Sequence, residues 1–118
     1  MADYKYINLS YLNEVSSGDP ETKKQLIKLF FEQVDAIKNS FECALAINDK
    51  DEIRKTAHLA KSSTKIMGIN NISEQMQKLE YSIKGNSETT DCKPYIDFFL
   101  NNIDNAIGEL NQELAFLD

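Results

Sequence analysis

Apolar residues along this chain recur at spacings of three and four and nowhere in sustained alternation, so the pattern predicts helices throughout. Residues 1 to 7, with Tyr4, Tyr6 and Ile7, read as a lead-in ordered by packing alone. A short helix is expected over Ser10–Ser17, with Leu9, Leu12 and Val15 as its apolar side. Gly18 suits a left-handed residue at its end, Asp19 an N-cap, and Pro20 the first position of the next helix. That helix is predicted over Pro20–Ile47, because Leu26, Ile27, Phe30, Val34, Ile37, Phe41, Ala44 and Leu45 keep to one stripe. Leu29 and Phe31 flank the stripe. Each reads first as boundary core, with one a candidate to pack under the short helix and the other to join an apolar docking patch.

Asn48 breaks the second helix, and Asp49 with Glu52 makes a capping box for a third over Lys50–Met67, which Gly68 ends. Asn71 and Glu74 repeat the box for a fourth, whose stripe of Ile72, Met76, Leu79 and Ile83 stops at Gly85. The polar run from Asn86 to Asp91 reads as a loop, and Pro94 is expected to open the last helix. There Ile96, Phe99, Leu100, Ile103, Ile107, Leu110, Leu114 and Leu117 hold one face, and Gly108 costs at most about 1 kcal/mol relative to alanine. Four amphipathic helices on short connections predict an all-α fold. The expected arrangement is an antiparallel up-and-down four-helix bundle with a short N-terminal capping helix. A length of 118 residues predicts one domain over 1–118.

The third predicted helix carries the only histidine, His58. At about 100° per residue, Arg54, Lys61, Ser62 and Lys65 fall within about 60° of it. Ile53, Ala57, Ala60, Thr64 and Met67 form the opposite, core-facing seam, so His58 is expected to face solvent. The chain has a net charge of −6, yet Arg54, Lys55, Lys61 and Lys65 stand between positions 54 and 68 without a carboxylate. Cations one and two turns away disfavour imidazolium, so the spacing predicts a neutral ring with a free lone pair and no acid beside it. The same ammonium groups could offset a phosphoryl group on the ring. A merely solvated basic face is the plainer reading of such a run.

These residues resemble a known signature. Ala57-His58, Lys61 three positions on, Ser63 five on and Gly68 ten on are similar to the motif of histidine-containing phosphotransfer (HPt) domains. The likeness extends over residues 7 to 85, through the opening at Tyr11–Glu21 and through Ile72, Met76 and Leu79-Glu80. It departs from the motif at Ser62, where glycine is usual, and at Ala60, where leucine is usual; Ser62 adds a hydroxymethyl beside the ring. The resemblance implies a helical bundle phosphorylated on His58, with Lys61 supporting the phosphate; Arg54, Ser62 and Lys65 are expected as binding residues from their helical phase, not from the signature. It implies receiver domains, or a hybrid histidine kinase, as partners that supply and accept the phosphoryl group in a multistep phosphorelay. It also implies no cofactor of the domain's own.

Composition narrows the alternatives. No Gly-rich phosphate loop is present, so the histidine is not expected to charge itself from ATP, and kinase activity is not expected. Cys43 and Cys92 are too few and too far apart for a disulfide framework or a zinc site, so free thiols and no metal are expected. An acidic total, with no aromatics interleaved among the cations, disfavours nucleic acid. No apolar run is long enough to cross a bilayer, and the start lacks a basic segment followed by an apolar one, so a cytoplasmic location is expected. Polar outer faces predict a monomer. The alternative to a phosphoryl carrier is a docking or adaptor module of the same fold that binds receiver or kinase domains without carrying phosphate.

Overall fold

The structure is a computed structural model that describes residues 4–86 and 88–118. Its helices are α1 (Ser10–Val15), α2 (Pro20–Ile47), α3 (Lys50–Ile66), α4 (Asn70–Lys84) and α5 (Thr89–Leu117). Helix α2 packs on α3 and α5, and α4 packs on the same two, which closes a ring of four. The ends show the directions. Lys23 near the start of α2 pairs with Glu113 near the end of α5, while Thr89 at the start of α5 donates to Asn48 just past α2. Serine 73 on α4 reaches the Lys61 carbonyl and Glu80 reaches His58, so α3 and α4 also run antiparallel. The fold is therefore the expected all-α, up-and-down bundle.

The second helix has the bounds its punctuation predicted. The Asp19 carboxylate accepts from the Thr22 amide at 3.0 Å, Pro20 occupies the first turn, and Asn48 takes the left-handed conformation that stops the helix. Its stripe is buried at Ile27, Phe30, Val34, Ile37, Phe41 and Ala44. Phe41 meets Phe99 of α5 edge to face, with ring centroids 5.8 Å apart. Phe31 packs against this core, whereas Leu29 stays half exposed.

Four boundaries differ from the sequence reading, that of α3 by the single residue Met67, which caps the helix instead of ending it. Helix α1 stops at Val15, two residues early, because the Ser17 and Gly18 amides turn back to the Glu14 and Asn13 carbonyls. Its one fully buried side chain is Leu12, and Val15 points to solvent. Helix α4 begins at Asn70, so Asn71 lies inside its first turn; the Asn71 side chain accepts from the neighbouring Ile72 amide and caps nothing. Helix α5 begins at Thr89, well before Pro94. A reciprocal box between Glu88 and Asp91 starts it, and Thr89 ties that start to Asn48 at 2.7 Å. Pro94 forfeits one bond to an exposed carbonyl, a loss water can make good. Of the expected loop, Ser87 lies outside the described residues.

Helices α2 and α5 are nearly twice as long as α3 and α4, so one end of the pair needs another cover. The lead-in and α1 supply it through Ile7 and Leu12. Glu109 of α5 holds the lead-in by accepting from three backbone amides, those of Lys5, Tyr6 and Ile7, at 2.7, 2.7 and 3.1 Å. Asn8 then donates to the Met67 carbonyl at the end of α3.

Candidate functional site

Helix α3 is two-sided. Ile53, Ala57, Ala60 and Thr64 are fully buried, and Thr64 satisfies its hydroxyl on the Ala60 carbonyl one turn back. The opposite side carries His58, whose side chain is 62% exposed. A seam rich in alanine and an exposed ring on the far face make His58 a projection from a rigid rod.

The ring is not alone among cations. Glu80 of α4 places Oε2 at 3.1 Å from His58 Nδ1 and Oε1 at 2.9 Å from Lys61 Nζ. This overturns the expectation that no acid stands beside the imidazole. Burial would raise the Glu80 carboxyl, but the Lys61 ammonium and the hydrogen bond with His58 outweigh it and hold the group below its usual range. An ionised carboxylate can only accept, so Nδ1 carries the proton in this contact and the lone pair of a neutral ring lies on Nε2. Glu80 thus fixes which ring nitrogen keeps the lone pair.

Glu80 carried no role in the sequence reading, although a signal existed. It lies four residues after Met76 and three before Ile83, inside the buried stripe of α4, where an acid needs a partner. The antiparallel packing of α3 on α4 supplies that partner across 22 positions of sequence.

The other site residues are placed as follows. Lys61 joins His58 through the shared carboxylate, and Ser73 also bonds the Lys61 carbonyl at 3.2 Å. Arg54 sits in an exposed pair with Asp51 at 3.5 Å, one turn before the ring. Ser62 and Lys65 are exposed and line a cleft of about 640 Å³ with Asn8, Tyr11 and Ile66. Two motif residues serve the scaffold. Ser63 is buried and donates to Gln33 of α2 at 2.9 Å, and Gly68, at φ +67°, lets the Asn8 backbone cross the end of α3. Toward the C-terminal half of α3, Tyr11, Leu29 and Ile66 are large apolar side chains left exposed, with Ile66 shared between the cleft against α1 and a recess against α2, and Leu59 is exposed next to His58 in the chain. Among the described residues, no group of three or more His, Cys, Asp or Glu side chains is arranged to hold a metal, and no helix is long and apolar enough to cross a membrane.

The architecture is a four-helix bundle that projects one imidazole outward from the middle of a helix. The family model for the Hpt domain matches residues 25–115, and the chain belongs to that family, whose members are phosphocarriers in two-component signalling. Comparison with curated proteins and with solved structures gave no match.

Proposed function

We propose that His58 carries a phosphoryl group in a multistep phosphorelay, taking it from an aspartyl phosphate of one receiver domain and passing it to the aspartate of another. The observation behind this reading is an exposed ring whose inner nitrogen is held by a buried carboxylate, which leaves the outer nitrogen for chemistry. In the forward step the Nε2 lone pair attacks phosphorus, the P–N bond forms, and the P–O bond to the donor carboxylate breaks. The ring keeps its Nδ1 proton and becomes formally cationic, and Glu80 faces that charge. The reverse attack by an acceptor carboxylate returns the ring to neutral. A helix-borne imidazole suits this exchange because in-line transfer needs a fixed nucleophile.

The exposed Tyr11, Leu29 and Ile66, which border the cleft and the recess along the C-terminal half of α3, support docking of a globular partner. Lys65 on the same cleft and Arg54 one turn before the ring suit an acidic rim. Mg²⁺ would come with the receiver, whose phosphorylated aspartate needs it. A monomer in the cytoplasm fits this role, with either free receivers or the receiver of a hybrid histidine kinase as partners.

The test is incubation with phosphorylated receiver domains of the same cell. Wild type should acquire acid-labile, base-stable label, and His58→Gln should lose the label while keeping its binding. Equal binding with label on neither protein would refute the carrier role and leave a docking module.

A further inference from the structure

Residues 4–9 form neither helix nor strand, and α5 holds their first half. The Tyr4 hydroxyl donates to Glu113 Oε1 at 2.8 Å, and Lys23 of α2 stands 3.5 Å from the other oxygen of that carboxylate. One turn earlier on α5, Glu109 Oε2 accepts the Lys5 amide while Oε1 accepts those of Tyr6 and Ile7. Among the described residues Glu109 forms no ion pair, so its charge is met by backbone amides.

The second half of the lead-in is a joint. Asn8 donates its amide to the Met67 carbonyl at the end of α3 at 3.2 Å, and its side-chain oxygen accepts the Ser10 amide in the first turn of α1 at 3.0 Å. Helix α1 has six residues, fewer than a helix needs to hold itself in water, and Leu12 is its one buried side chain. Its position therefore depends on Leu12 and on Asn8 with the tethered lead-in. That position shapes the functional face, because Asn8, Ser10 and Tyr11 line the cleft opposite Ser62, Lys65 and Ile66 of α3.

We propose that Glu109 is a latch that seats the lead-in and α1, and so holds this wall of the cleft in the form a receiver domain binds. Seating and partner binding then favour each other. This rests on the carrier reading above and on docking at that cleft. Glu109 does not line the cleft, so it is a positioning residue that acts through Asn8 and Tyr11. The ring is set separately. His58 is held from α4 by Glu80, and none of the described hydrogen bonds ties it to the lead-in or α1. Loosening the latch should change how well a large donor docks and leave the reaction with a small one as it was.

Two donors separate these effects in the full chain. Wild type, Glu109→Ala and Glu109→Gln are labelled on His58 by phosphoramidate, and by a receiver domain of the same cell charged on its aspartate, over a range of receiver concentrations. Phosphoramidate rates should match in all three. With the receiver, Glu109→Ala should raise the half-saturating concentration about three- to tenfold and nearly keep the rate at saturation, as when the binding-competent wall is populated about a tenth to a third of the time. Glu109→Gln keeps one acceptor oxygen and should fall between. Hydrogen exchange in Glu109→Ala should show loss of protection spreading from Lys5–Ile7 into α1 while α2 stays protected, which separates the effect from general unfolding. An unchanged half-saturating concentration, or α1 amides as protected as in wild type, would overturn the latch and leave the carrier role standing. A phosphoramidate rate that falls along with the receiver rate would place the effect at the ring and overturn the latch as well. A wild type that no charged receiver labels would overturn the carrier reading and the latch with it.

Discussion

Replacing Gly68 with alanine separates a conformational cost from a steric one, because the chain contains a matched control. Gly18 and Gly68 both have positive φ, +74° and +67°. A Cβ on Gly18 would have nothing within 4 Å, whereas one on Gly68 would overlap the Asn8 carbonyl oxygen and lie 2.6 Å from the Asn8 nitrogen. Gly18→Ala therefore pays only for the left-handed conformation, about 1–2 kcal/mol, partly offset by a stiffer unfolded chain. Gly68→Ala carries that cost and must also push backbone aside. Displacing the lead-in breaks the bond from Asn8 to Met67, worth about 1 kcal/mol, and strains the amides held by Glu109. The total should reach about 3 kcal/mol. At about 4 °C per kcal/mol for a chain of this size, Gly18→Ala should lower Tm by about 4 °C and Gly68→Ala by about 12 °C. Urea unfolding with an unchanged m-value checks that the loss lies in the folded state. Because α1 follows the lead-in, Gly68→Ala should also loosen Tyr11 in the cleft it lines with Ser62 and Lys65. Equal losses for the two variants would show that the crossing of Asn8 over α3 is not what requires glycine there.

Other outcomes follow from the polar contacts. Glu80→Gln removes the charge that holds Nδ1–H and should slow labelling of His58 by phosphoramidate about tenfold, with a changed ring tautomer by nitrogen NMR. The lowered Glu80 carboxyl contributes stability that is complete above its unfolded value near 4.5 and is lost as pH falls through the folded value. Acid unfolding of Glu80→Gln should therefore show a weaker pH dependence than wild type in that range. Burial and the bond to Glu113 push Tyr4 up to about 12, so its contribution is complete below pH 10.0 and disappears as pH rises through about 12. Tyrosinate absorbance should show one late-ionising tyrosine that titrates earlier in Glu113→Gln. Glu109→Ala removes the acceptor for three amides and should abolish hydrogen-exchange protection at Lys5, Tyr6 and Ile7 while leaving α2 protected.

Local chemistry was readable from sequence where a boundary is set by its own residues. Asp19-Pro20 and Asn48-Asp49 cap and stop helices without outside help, and the bounds of α2 follow from them. The two-sidedness of α3 was readable because alanine, isoleucine and threonine repeat at helical spacing against a basic face. What escaped depends on other elements. The start of α5 rests partly on a contact from Thr89 to Asn48, so polarity alone misread it as loop. Val15 has the spacing of a core residue, yet a helix of six residues turns only one side chain fully inward. The acid at the ring comes from α4, and no pattern within the motif around His58 contains it.

Glu80 therefore divides the labour between helices. On the proposed reading, the face offered to a partner is written mainly on α3 and α1, while the ring is tuned from α4 by a residue buried behind it. Substitution at position 80 could make the same imidazole a faster or slower donor without redrawing the surface by which partners recognise it. Recognition and reactivity can then drift separately, one helix at a time.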